Sequence, residues 1–122
     1  MFEPILFAAT TDPIRARRFY EEALGFTFVS DDPYALVFEA GGLTMRVQKV
    51  KEVVAAPYTL LGWRVGNLAE KMHELKSRGV HFERYEGLGQ DSEGIWRTPG
   101  GSLVAWFKDP DGNTLSLVQR TE

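Results

Sequence analysis

The stretch Phe107-Lys108-Asp109-Pro110-Asp111-Gly112-Asn113-Thr114-Leu115-Ser116-Leu117 decides how this chain is read. Asp109-Pro110-Asp111-Gly112 is a turn with a mechanism, because proline presets φ at its second position and glycine supplies a positive φ further on. Strand-like runs, Ser102–Lys108 and Asn113–Gln119, flank it, so the unit predicts a closing β-hairpin. Its second strand alternates. Leu115 and Leu117 face one way and Thr114 and Ser116 the other, as a sheet with one apolar and one polar face requires.

Working outward, Ile95–Thr98 and the turn Pro99-Gly100-Gly101 lead into that hairpin, after a polar loop around Gly87–Gly94 and a strand over His81–Tyr85. Before these, Tyr58–Val65 reads as a strand. Asn67 and Glu70 supply an N-cap and its capping-box partner, Leu68, Met72 and Leu75 a helical stripe, and Gly79 its stop. The N-terminal half runs in the same order. Ile5–Ala9 is a short apolar strand, and Asp12-Pro13 opens a helix whose Ala16, Phe19, Tyr20 and Ala23 recur at helical spacing until Gly25. Strands follow over Phe26–Val29, Tyr34–Glu39 and Leu43–Gln48, with Ser30-Asp31-Asp32-Pro33 and Gly41-Gly42 as the turns between them. In the last strand Leu43, Met45 and Val47 face one layer while Thr44, Arg46 and Gln48 face the other. Lys49–Pro57 is then a linker between two similar halves.

Bulk composition narrows the function classes. A chain of 122 residues with 43% apolar and 25% charged residues is expected to form one soluble domain. A net charge of −3 with no basic run argues against nucleic acid. No apolar stretch approaches membrane-spanning length, so no membrane partner is expected and the expected location is cytoplasmic. With no cysteine, disulfides, thiolate nucleophiles and sulfur metal sites drop out.

The βαβββ repeat, the segment Phe19-Tyr20-Glu21-Glu22-Ala23-Leu24-Gly25-Phe26 and the Asp109–Asn113 hairpin resemble the vicinal oxygen chelate superfamily. That group includes glyoxalase I, the extradiol dioxygenases and the bleomycin- and fosfomycin-resistance proteins. The resemblance implies an α+β fold in which two βαβββ modules, about residues 3–50 and 58–119, form a U-shaped, half-open barrel across a single domain spanning 1–122. It also implies a homodimer. The family's metal-ligand slots fall by position on Ile5, Leu60, Ser116 and approximately Arg46, where its enzymes carry His, Glu or Gln. Two aliphatics, a serine and a cation do not make a metal site, and His73 and His81 fall off the expected concave face. No metal and no cofactor are therefore expected.

Alternation then gives a ligand-binding lining: Phe7, Arg46, Gln48, Leu60, Arg64, Trp106 and Ser116. Arg46 needs an anionic or π partner, either on a ligand or as an internal ion pair with Glu39 or a neighbouring carboxylate. Trp106 either stacks on a flat ligand or fills the core, Trp63 is core, and Trp96 sits beside a loop able to act as a lid. Glu39 is the one acid expected near the cleft. Three functions follow: a metal-free binder sequestering a small organic molecule, a lyase, isomerase or dioxygenase-type enzyme acting on a small carboxylate or aromatic substrate, and an assembly module. No catalytic residue is identified.

Overall fold

The computed structural model describes residues 1–120. Eight strands, in order, are β1 (Leu6–Thr10), β2 (Thr27–Asp31), β3 (Ala35–Ala40), β4 (Leu43–Lys49), β5 (Leu61–Arg64), β6 (Trp96–Arg97), β7 (Leu103–Lys108) and β8 (Thr114–Gln119). They form two four-stranded mixed sheets, ordered β1-β4-β3-β2 and β5-β8-β7-β6, each with its first strand parallel to its last. The fold is α+β, and each half runs strand, helix, three strands, as the repeat implied. Among the described residues no helix is long and apolar enough to cross a membrane.

Two compact units divide the chain. The first holds Met1–Ala55 and, from far along the sequence, Asp109–Asn113. Its helix α1 (Pro13–Arg17) is capped by the Asp12 carboxylate, which accepts from the Arg15 amide at 3.2 Å. The helix does not run on as the uniform α-helix its periodicity predicts. Arg18–Ala23 is a π-helical turn, closed by the Leu24 amide on the Phe19 carbonyl at 3.0 Å, before Gly25 leaves at φ +78°. The expected apolar stripe survives: Ala16, Tyr20 and Ala23 are buried, and the Tyr20 ring lies 5.8 Å from Phe38 of β3. Ser30 and Asp31, expected in a turn, extend β2 past a bulge at Val29.

The Asp109–Asn113 turn is the polar centre of this unit. The Tyr20 hydroxyl donates to Asp109 Oδ2 at 2.5 Å, and Asn113 Nδ2 donates to the same oxygen at 2.8 Å. Asp109 Oδ1 accepts from the amides of Asp111 and Asn113. Asn113 Nδ2 also reaches the Ala9 carbonyl at 3.1 Å, and Asp111 accepts from the Thr11 amide. Gly112 turns the chain at φ +86°, a backbone state that costs a side-chain-bearing residue. A buried carboxylate satisfied on both oxygens is what lets this turn lose its water.

The second unit holds Ala56–Lys108 and the strand from Thr114 onward. Helix α2 (Leu68–Ser77) is N-capped by Asn67, which accepts from the Glu70 amide at 3.0 Å. Leu68, Met72 and Leu75 are buried, and the helix packs on β7 and β8, where Ala105, Phe107, Leu115 and Leu117 are buried too. Two expectations need correction. The Tyr58–Val65 strand is shorter, starting at Leu61, and His81–Tyr85 is not a strand. There Phe82 makes one bridge to Phe107, the Glu83 amide donates to the Trp106 carbonyl at 2.7 Å, and the chain then peels away because Gln90 Oε1 takes the Tyr85 amide.

Candidate functional site

In the first unit, strand register sets out the sheet face turned away from the helix. Phe7, Arg46 and Val37 form one row, Ala9, Gln48 and Ala35 the next, and Thr44 lies opposite Glu39. The expected residues Phe7, Arg46 and Gln48 therefore share a face. Arg46 already has a partner, since its guanidinium lies 3.6 Å from Asp32 Oδ2. Asp32 is held in place by accepting from the amides of Tyr34 and Ala35. Those two bonds first, and then the Arg46 and Lys49 charges, pull its carboxyl below the ordinary value. So the carboxylate that satisfies Arg46 is Asp32, not Glu39, which is exposed beside Thr44 and Thr27.

The second unit's outer sheet face is different in kind. Register places Gly62, Ser116 and Trp106 in one row and Arg64, Val118, Val104 and Trp96 in the next. The Trp96 and Trp106 rings stack at 5.9 Å with 28° between their planes, and Tyr85 meets Trp106 edge-on at 5.5 Å and 85°. Trp106 is oriented by its own N–H, which donates to Thr59 Oγ1 at 3.0 Å. Both indoles are half-buried and Tyr85 is exposed, so the cluster shows solvent an aromatic surface. Leu60 stands just ahead of β5, its amide donating to the Thr114 carbonyl at 2.8 Å and its side chain exposed.

Ser116 forms the floor. It is 7% exposed, and Gly62 across from it leaves the space its hydroxyl occupies: a Cβ at position 62 would overlap Ser116 Oγ. Lys108, two residues beyond Trp106, is neutralised by Glu83 at 3.5 Å. Arg64 is exposed and makes no ion pair with a described residue. The loop after Tyr85 is tied rather than loose, because Gln90 bonds Tyr85, Glu83 and Gly94, and Asp91 accepts from Glu93 and Ile95.

Sequence reasoning found Leu60, Arg64, Trp106 and Ser116 on this face but missed Tyr85 and the Trp96–Trp106 pair. The signal for the pair was present: alternation across adjacent strands brings side chains two residues apart within aromatic reach. Tyr85 carried no such signal, since its position rests on the Gln90 side chain.

Of the four metal-ligand slots, Ile5 and Leu60 are exposed aliphatics, Arg46 is a cation and Ser116 a neutral hydroxyl. Among the described residues no three His, Cys, Asp or Glu side chains are grouped to hold a metal ion. The donor set does not fit one. Elsewhere, a groove of about 290 Å³ runs along the polar side of the first helix, by Arg17, Arg18, Glu21, Glu22, Asp31 and Leu36. Its charges cancel locally, Arg17 on Glu21 at 3.2 Å, Arg18 on Glu22 at 3.7 Å and Asp31 on Lys49.

Comparison with known proteins agrees with this architecture. A sequence model of the Glyoxalase/Bleomycin resistance protein/Dioxygenase superfamily matches residues 5–117. Among solved structures, the chain is similar to the bleomycin resistance determinant encoded on the transposon Tn5, with TM-score 0.77, 22% identity and 100% of each chain covered. A superfamily member from Sphaerobacter thermophilus DSM 20745 gives TM-score 0.76 and 22% identity over 98% of each chain. Lactoylglutathione lyase from Agrobacterium tumefaciens gives 0.69 and 18% identity, over 98% of this chain and 92% of its own. No curated protein matches the sequence.

Proposed function

The chain belongs to the Glyoxalase/Bleomycin resistance protein/Dioxygenase superfamily, and on that premise we propose that it binds and sequesters a small organic molecule without a metal ion. Structural likeness at this level of identity carries the fold, so the reading rests on the site itself. One observation carries it. The second unit's outer sheet face presents the Trp96–Trp106–Tyr85 cluster, half-open, beside a polar floor at Ser116 and a cation at Arg64. Apolar aromatic surface with a few convergent polar groups is the usual make-up of a small-molecule site. The four ligand slots filled by Ile5, Arg46, Leu60 and Ser116 support the metal-free part, on donor chemistry alone. A homodimer fits the same reading, since Ile5 and Phe7 leave apolar side chains exposed at the edge strand β1.

Thermal shift against a chemically varied panel of organic molecules, with and without chelator, tests the reading. A ligand at a hundred times its Kd stabilises by about 2.7 kcal/mol, which is on the order of 10 °C for a domain of this size. Stabilisation by organic compounds with no effect of chelator is the expected result. One transition-metal ion per chain, retained through purification without added metal, overturns the metal-free reading. A panel with no stabilising member overturns the binding reading. Sedimentation equilibrium is expected to give twice 13.8 kDa, and a mass of one chain removes the dimer.

A further inference from the structure

We infer that the second unit's outer face is selective for flat aromatic anions, the ring lying against the Trp96–Trp106 pair and the acidic group on Arg64. The inference rests on the binding reading above and names its ligand class.

Three features of the face converge on it. Trp96 and Trp106 stack on each other within 28° of parallel, with Tyr85 edge-on to the second, so the rings hold one another in a fixed orientation. An aromatic cluster of fixed orientation favours a planar ring over a puckered one, because stacked and edge-on contacts both need a flat partner. The next feature is charge. Within the strands, the cations that register places on this face are Arg64 in β5 and Lys108 in β7, and Glu83 neutralises Lys108 at 3.5 Å. Arg64 pairs with no described carboxylate, whereas Arg46 on the first unit's sheet is matched by Asp32. A guanidinium with no partner among the described residues is a ready fork for a carboxylate, sulfonate or phosphate. It equally repels an organic cation.

The last feature is spacing. Arg64 is in β5 and Trp106 in β7, with β8 between, so two strand spacings, about 10 Å, separate their backbones. Val118 and Val104, in the row between Arg64 and Trp96, make an apolar track along that path. The Arg64 side chain takes up part of the span, which leaves room for a molecule of about two fused rings carrying its charge at one end.

The probes are 2-naphthoate, 2-naphthol and cyclohexanecarboxylate: ring with charge, ring alone and charge alone. The three tryptophans of the chain give three indole N–H signals in a 15N-labelled sample, and Trp63, in β5 but on the opposite face, is the internal reference. Naphthoate is expected to shift the Trp96 and Trp106 signals and leave Trp63 in place, binding at least ten times more tightly than either other probe. Arg64→Gln should lower naphthoate affinity to that of naphthol and leave naphthol unchanged. Arg64 is exposed, so an unchanged melting profile is expected to show that the variant is folded. If naphthol matches naphthoate, or Arg64→Gln has no effect on naphthoate, the anion assignment is overturned while binding at this face stands. If none of the probes moves Trp96 or Trp106, the assignment fails. If the organic panel also yields no stabilising compound, the binding reading fails with it.

Discussion

Replacing Tyr20 with phenylalanine removes one oxygen from the interior and leaves the ring. The ring contacts stay, at 5.1 Å to Phe19, 6.4 Å to Phe26 and 5.8 Å to Phe38, so little cavity forms. What is lost is a hydrogen bond from a fully buried phenol to a buried carboxylate at 2.5 Å. Bonds to charged groups contribute about 1.5–3 kcal/mol. Asp109 keeps its bonds from Asn113 and the Asp111 amide, so the carboxylate is not stranded, and a loss of about 2 kcal/mol is expected. In urea, with a slope of about 2 kcal/mol per molar, the unfolding midpoint falls by roughly 1 M. The loss should depend on pH. Burial lifts the Asp109 carboxyl above its ordinary value, while the Tyr20 bond, then the Asn113 and Asp111 bonds, pull it down. A carboxyl raised in the folded state contributes stability below the ordinary carboxylate range and loses it as pH rises through the folded value. Without the Tyr20 bond the folded value climbs further, so the penalty grows from acid to neutral pH. Tyr20 itself is pushed well above the ordinary phenol range, by burial first and then by Asp109, so wild-type stability falls as pH rises beyond about 10. That part of the alkaline slope should vanish in the variant. A penalty under about 0.5 kcal/mol at neutral pH, or one equal in acid, refutes the reasoning.

Gly62→Ala should cost about 1–3 kcal/mol, because the new methyl overlaps Ser116 Oγ and sits 3.3 Å from the Ser116 carbonyl oxygen. In a Ser116→Ala background the cost should drop below about 1 kcal/mol, and a double-mutant cycle by urea unfolding with no coupling would contradict the packing described. Asn67→Ala removes the cap on α2 and should cost about 1 kcal/mol, with faster hydrogen exchange at the Glu70 amide. Unchanged exchange there would show that the cap bond does not protect the turn.

What the sequence exposed and what it hid divide along physical lines. Local rules were enough wherever neighbours in sequence are neighbours in space. The Leu43–Gln48 alternation gave the correct faces of β4, Asp12 and Asn67 gave the helix starts, and Gly112 gave the hairpin. The π-helical turn at Arg18–Ala23 was invisible, since its residues keep an apolar stripe under either winding. Within it lies Tyr20, whose hydrogen-bond partner is 89 residues away and leaves no trace in local periodicity. His81–Tyr85 has the composition of a strand, yet a glutamine side chain claims the Tyr85 amide that a ladder would need. On the candidate site, alternation assigned Arg64, Trp106 and Ser116 to one face, but which cations are matched depends on Asp32 reaching Arg46 and Glu83 reaching Lys108, pairings that sequence could not supply.

The Asp109–Asn113 turn has a consequence for synthesis. It completes the first unit, although the other residues of that unit end at Ala55. A ribosome adding roughly 5–20 residues per second needs about 3–10 s to travel from there to the turn. Throughout that interval the Tyr20 hydroxyl and the Ala9 carbonyl lack the partners that Asp109 and Asn113 later supply. The nascent first half therefore waits, incomplete, until Asp109–Asn113 has been made. A stalled or shortened chain that stops before Asp109 leaves the Tyr20 hydroxyl and the Ala9 carbonyl without these partners, a polar defect inside its first unit.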